Sequence, residues 1–459
     1  MRKTYAPRAF ATLAEAHFAN QPRCALWAKP GMGKTVMTLT HLDALHRVWG
    51  ESRPTLVLAP LRVARDTWAT EASKWQHLAG LDVVPVVGDA AVRKAALRRD
   101  VPIYTTNYEQ LPWLVEHFGD AWPFGAVVAD ESTKLKGFRL RQGTQRAQAL
   151  GRVAHKNVQR WINLTGTPAS NGLEDLWGQT WFLDEGRRLG RTFSAFRDRW
   201  FQPVKAGQFH QWKAAPWAQD EVHNRLADIC LTLDPRDWFD MREPVVNVVN
   251  VHLPREVRVK YREMQRELFT IIASTPVEAP SAAAKYAKCL QMAGGAVYLE
   301  DGVQWVELHQ EKLDALEELA DQTGDDPLLV AYHFKHEAAR ILARFPDALD
   351  LANADDLRAA QAGRGKLWLG HPASMGHGVD GLQEHCNTVV FFAQDPNLEH
   401  HDQILERVGP MRQMQAGKDR PVFLYYLVAQ GTLDVVEMAR RESKRSVQDL
   451  LMDFMKGEL

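Results

Sequence analysis

A chain of 459 residues, 45% hydrophobic and 25% charged, exceeds what one core organises and reads as ordinary globular protein of about two to four domains. A net charge of −1 excludes a whole-molecule attraction to nucleic acid, so any such binding needs a local basic groove. Four dispersed cysteines without a C-x-x-C pair exclude a disulfide or zinc framework, and the lack of an 18-residue apolar run or a leader-like segment argues against a span or secretion. The expectation is a cytoplasmic protein with reduced thiols, no zinc and no membrane partner.

From the N-terminus, strands are expected at Cys24–Ala28, Thr55–Ala59, Val83–Val87, Pro102–Thr105, Ala126–Ala129 and Trp161–Leu164. Helical patterns follow most of them, which predicts βα units and a parallel sheet covered on both faces. A second α/β series is expected at Leu328–Tyr332, Lys366–Leu369, Thr388–Phe392 and Val422–Leu427. The stretch between the two series reads as largely helical, with a flexible segment at Ala273–Ala284 and a linker near Pro244–Pro254. The expected division is an ATP-binding lobe at 1–183, a Trp/Arg-rich helical insertion at 184–244, a linker and helical insertion at 245–325, and a second lobe at 326–459.

The first chemistry-bearing segment is Ala28-Lys29-Pro30-Gly31-Met32-Gly33-Lys34-Thr35, lying between a strand and an amphipathic helix. That is the setting of a phosphate-binding loop. Pro30, Gly31, Met32 and Gly33 turn the backbone N–H groups around a polyphosphate, Lys34 neutralises the outer phosphates, and Thr35 ligates Mg²⁺. ATP and Mg²⁺ are therefore the expected cofactors.

An apolar strand then delivers Asp130-Glu131, where ligands of open parallel sheets sit. Asp130 suits the Mg²⁺ shell and Glu131 the polarisation of attacking water. Thr165-Gly166-Thr167-Pro168 follows the next strand; small hydroxyl residues there can bond the acid pair and couple it to other parts. Gln403 and Arg407 lie four apart on one helical face, Gly409-Pro410 breaks that helix, and Arg412 follows. An arginine from a second lobe, completing the γ-phosphate site, is typically worth about 10³–10⁵ in rate.

Seven of the 15 tryptophans fall between Trp161 and Trp238; they are either helix-packing core or a stacking surface for bases. Arg187, Arg188 and Arg191, with Arg197 and Arg199, are candidate phosphate contacts or else a solvated helix face.

In order, these segments resemble helicase superfamily two, and within it the Swi/Snf-type branch. AKPGMGKT resembles motif I, LVLAPLRVARDTW motif Ia, YTTNYEQL motif Ib, ADESTKLK motif II and LTGTPASNGLEDLW motif III. LLVAYHF resembles motif IV, ASMGHGVDGLQ motif V and DQILERVGPMRQ motif VI; FSAFRDRWF and the late Gly431-Thr432-Leu433-Asp434 carry the Swi/Snf flavour. The resemblance implies two RecA-like lobes of the P-loop NTPase fold with helical insertions, and an ATPase that translocates on or remodels duplex DNA. The chain's compactness is similar to short versions encoded by bacteriophages. Nucleic-acid contacts are implied at Arg62, Asn107, Ser374 and Gly376, and partners among replication or recombination proteins. The chain departs from the family at Thr133, where the acid box usually has His, at Pro7–Ala11, which offers no adenine-reading glutamine, and in the five-residue spacing of Arg407 and Arg412. Other readings stay open: a helicase acting on RNA or separating DNA strands, and a nucleotide-gated binding protein that hydrolyses poorly.

Overall fold

The computed structural model describes residues 2–29, 31–141, 143–169, 172–206, 209–240, 242–272, 280–375, 379–418 and 420–443. The chain forms two units, Met1–Pro203 with Trp212–Asp240, and Val204–Gln211 with Met241–Leu459.

The first unit is built on a seven-stranded sheet. Its order is Val83–Pro85, Ile103–Asn107, Thr55–Ala59, Ala126–Asp130, Arg160–Thr165, Arg23–Ala28 and Cys230–Leu233, and every pairing is parallel. The central strands are apolar and buried at nearly every position because helices cover both faces. The core on one side gathers Phe138, Trp161, Trp177, Trp181, Phe182 and Trp200, so these tryptophans are packing residues, while Trp217 and Trp238 are exposed. The four cysteines are unpaired and buried.

The second unit has a six-stranded, all-parallel sheet in the order Val245–Val251, Phe423–Ala429, Thr388–Phe391, Leu328–Ala331, Leu367–Gly370 and Leu349–Asp350. Two parallel-sheet lobes flanked by helices are thus the architecture that the motif series implied.

The middle of the chain differs from expectation. Residues 201–206 and 209–214 form a two-stranded sheet, and 296–298 and 305–307 pair antiparallel, so the segment is not simply helical. Cys230–Leu233 extends the first sheet beside Arg23–Ala28, which ties most of the expected 184–244 insertion to the first unit, Val204–Gln211 and the residues from Met241 on being grouped with the second. The expected linker at Pro244–Pro254 carries the edge strand Val245–Val251, paired over its whole length with Phe423–Ala429. Its β-branched residues fit a sheet edge, but the strand that makes it one lies far down the chain. Of the expected flexible stretch, 273–279 lies outside the described residues, and Pro280 opens the helix Pro280–Gly294.

Candidate nucleotide site

The loop after Arg23–Ala28 turns through two left-handed glycines, Gly31 at φ 86° and Gly33 at φ 78°. A side chain at either position would strain the backbone. Helix Lys34–Asp43 begins directly at Gly33 with no side-chain cap, so its first N–H groups and its dipole are turned to the loop. Met32 N–H donates to Lys29 O at 3.2 Å, and Met32 is buried beneath the turn. Lys34 Nζ folds back to donate to Ala28 O at 2.6 Å, which holds the ammonium at the strand end. Thr35 is half-buried in the helix's first turn. Pro30 lies outside the described residues.

The acid pair stands two strands away. Strand Arg160–Thr165 lies between Arg23–Ala28 and Ala126–Asp130, with Thr165 level with Trp27 and Leu164 level with Asp130. The register therefore sets Thr165 at the sheet edge between the phosphate loop and the acids. Thr165 is buried, and its hydroxyl accepts from Thr167 N–H at 3.2 Å across Gly166.

Asp130 is 9% exposed, and its Oδ2 accepts the indole N–H of Trp68 at 3.0 Å. Burial pushes its carboxyl up to about 7, helped by the Glu131 charge and opposed by the Lys34 ammonium and the Trp68 hydrogen bond. A carboxylate so disfavoured in its charged form, beside a threonine-bearing phosphate loop, is suited to a divalent cation. Glu131 takes the left-handed conformation at φ 57° and ψ 58°, a strain of roughly 1–3 kcal/mol for a non-glycine residue. Tyr108 holds this turn: its hydroxyl donates to Asp130 O at 2.8 Å and approaches Glu131 O at 3.4 Å. Burial, with the charges of Asp130 and Glu131, raises the phenol well above its ordinary value and keeps it a donor.

Trp68 and Tyr108 were not singled out from the sequence. Both sit inside segments matched to motifs Ia and Ib, yet an aromatic at helical or strand spacing carries the same pattern whether it is core or positions an acid.

The remaining candidates fall differently. Arg62 is exposed just past the end of Thr55–Ala59. Asn107 is only 4% exposed, and its Nδ2 donates to Glu109 Oε2 at 2.8 Å. Arg188 pairs with Asp184 at 3.1 Å and with Asp228 at 2.5 Å. Arg187 and Arg188 line a cleft with Gln21, Pro22 and Arg23, at the N-terminal end of the sheet, opposite Asp130. The reason is geometric. Helix Glu174–Asp184 returns antiparallel to the strands, so the arginines after it emerge at the far end. Arg191 is exposed.

In the second unit, Gln403 and Arg407 share helix Leu398–Val408, where Arg407 Nε donates to Gln403 O at 3.4 Å and Nη1 to Val379 O at 2.8 Å. Gly409 and Pro410 end that helix, and Arg412 sits on a separate one, Pro410–Gln415. Its Nε donates to Glu406 O at 3.2 Å and its Nη1 lies 3.5 Å from Asp380. Ser374 is exposed in the short helix Pro372–Met375, and Gly376 lies outside the described residues.

Among the described residues no helix is long and apolar enough to cross a membrane. A family model described as the SNF2-related domain matches residues 8–290. Protein p41 of Acyrthosiphon pisum secondary endosymbiont phage 1 is 48% identical over 458 residues, covering 99% of both chains. Helicase swr-1 of Neurospora crassa is 30% identical over 271 residues, which are 55% of this chain and 13% of that much longer protein. Among solved structures, the Pyrococcus furiosus Hef helicase domain matches with a TM-score of 0.51 at 15% identity, over 96% of this chain and 98% of that one. The Sulfolobus solfataricus SWI2/SNF2 ATPase core in complex with dsDNA matches with a TM-score of 0.45 at 20% identity, over 99% and 93%.

Proposed function

The chain belongs to the SNF2-related ATPases, and from that premise we propose that it is a DNA-stimulated motor coupling ATP hydrolysis to movement along, or remodelling of, duplex DNA. The observation that carries the hydrolytic part is the placement of Asp130 and Thr165 on neighbouring strand ends, beside the strand that feeds Lys34. In this reading Gly31, Met32, Gly33 and Lys34 hold the phosphates, with Pro30 in the same loop, and Thr35 and Asp130 hold Mg²⁺. The cation supplies charge neutralisation at the phosphates. Glu131, aimed by its strained backbone, orients the attacking water and takes its proton. Arg407, anchored in the second unit, stabilises the charge that develops on transfer, with Gln403 on the same turn. Arg412, on the helix that follows Gly409, is the second arginine proposed for that charge.

Family membership and the helicase relatives support nucleic acid as the activator, and the Swi/Snf-type motifs favour duplex DNA. Arg62 and Ser374, both exposed, are the better candidate contacts. The phage relative supports action in a host cytoplasm.

The test is ATP turnover against duplex DNA, single-stranded DNA and RNA at several salt concentrations. Duplex DNA should raise turnover several-fold and salt should oppose it; equal, flat turnover with all three removes the motor reading. Lys34→Ala and Glu131→Gln should abolish turnover, the latter while still binding ATP.

A further inference from the structure

Gln179 belongs to none of the residues assigned above, yet it holds two of the ATP-site segments together. It lies on helix Glu174–Asp184 and is 1% exposed. Its Oε1 accepts from Ser132 Oγ at 2.8 Å, directly after the acid pair. Its Nε2 donates to Pro168 O at 2.5 Å, in the loop after Thr165, and to Asp175 O at 3.0 Å. Two carbonyl neighbours on one side demand the donor end of the amide there, so the serine must meet the acceptor end. The glutamine is fixed further back as well: Asn163 Nδ2 donates to its carbonyl at 2.8 Å, and Trp161 Nε1 donates to Asn163 Oδ1 at 2.8 Å.

The preceding residue makes this approach possible. A Cβ on Gly178 would run into the carbonyls of Leu135 and Lys136, so the helix touches the acid-box turn backbone to backbone. By contrast, the Thr133 hydroxyl is buried with no hydrogen-bond partner among the described residues. The polar tie from the acid box therefore leaves from Ser132 and not from Thr133.

We propose that Gln179 is a positioning residue: its carboxamide transmits displacement of the Glu131-Ser132 turn, on nucleotide binding, to the Thr165–Pro168 loop. The proposal rests on the ATPase reading above. An apolar residue of equal size would fill the same space and carry no such tie.

The experiment compares full-length Ser132→Ala, Gln179→Met and the double variant. The ratio of turnover with saturating duplex DNA to turnover without should fall about twofold or more in each single variant, the low end of what one residue contributes to a coupling between sites. The double variant should fall no further than the worse single, because one tie is lost in all three. A lowered melting temperature with an unchanged ratio overturns the proposal, since that is what a structural hydrogen bond alone would give. Should Gln179→Met fail to fold, Gln179→Glu keeps the acceptor and removes both donors.

A second measurement does not depend on DNA. In a Glu131→Gln background, ATP and Mg²⁺ should slow hydrogen exchange at the Thr167 and Ala169 amides, and adding Gln179→Met should abolish that change while ATP still binds. Persistence of the change overturns the proposal. If the parent protein responds to no nucleic acid, the motor reading fails, and the exchange result alone decides the role of Gln179.

Discussion

The Trp68 indole N–H meets Oδ2 of Asp130 at 3.0 Å inside the protein, so a residue of the segment after the second strand orients the candidate cation ligand. The Lys34 ammonium, this bond and the Glu131 backbone N–H favour the charged carboxylate against burial. Trp68→Phe keeps an aromatic ring and removes the donor. Leaving a buried acceptor short of a partner should cost about 1–3 kcal/mol of stability. The Mg²⁺ concentration for half-maximal turnover should rise about tenfold, the equivalent of about 1.4 kcal/mol. An unchanged Mg²⁺ requirement would remove Trp68 from the cation site.

Glu131 shows function set against stability. Its left-handed backbone is costly for glutamate and free for glycine. Glu131→Gly should therefore melt no lower than the parent protein, and as much as about 1 kcal/mol higher, while turnover is lost. Glu131→Asn should behave similarly, since asparagine tolerates this conformation. A clear drop in the melting temperature of both would mean that the side chain, and not its backbone, stabilises the turn.

The phosphate loop, the acid pair and the two sheets were legible because each depends on local pattern: glycines at fixed spacing, an apolar run ending in acids, strands alternating with helices. What was not legible depends on pairing across long stretches of chain. Val245–Val251 becomes a strand only because Phe423–Ala429 offers it an edge, and Cys230–Leu233 only beside Arg23–Ala28. The arginines after Asp184 looked like a basic face, but the helix direction carries Arg187 and Arg188 to the opposite end of the sheet, and Asp228 claims Arg188. Gln179 gave no signal, since a glutamine in a helix is usually solvated; its role comes from Gly178, which brings the helix against Leu135 and Lys136.

The late Gly431-Thr432-Leu433-Asp434 segment is anchored by a buried ion pair. Lys312 and Asp434 side chains are 1% and 2% exposed and meet at 2.7 Å, and Lys312 also donates to Phe392 O at 3.0 Å. Asp434 Oδ2 accepts from Ala429 N–H at 3.0 Å as well, so the pair joins two strand ends to two helices. Lys312→Met strands the carboxylate in the interior and should cost about 3–5 kcal/mol in denaturant unfolding. Adding Asp434→Asn should restore part of that loss, because the uncompensated charge is gone. A single variant costing under about 1 kcal/mol would mean that water reaches the pair.

His336 sets a pH dependence of definite sign. Its ring is buried, stacked on Phe334 at 5.4 Å and edge-on to Tyr298 at 5.1 Å, and neither ring nitrogen has a hydrogen-bond partner among the described residues. Burial, then the charges of Arg340 and His333, push it down to about 3. The native state thus holds the neutral ring, whereas the unfolded chain protonates near pH 6.5. The contribution is full above about 6.5 and is lost as pH falls towards the folded value, amounting to about 2 kcal/mol at pH 5. Burial also lowers His41 and His309 to about 4, which adds the same sign. His333 runs the other way: burial lowers it, but its bond to Asp395 and that carboxylate's charge outweigh this and leave it raised. His336→Phe keeps the packing and removes two unsatisfied nitrogens, so it should melt at or above the parent at pH 7. At pH 5 the gap should widen by roughly 4–8 °C, from about 2–4 °C per kcal/mol. A gap that stays constant between the two pH values would mean that this ring does not titrate on unfolding.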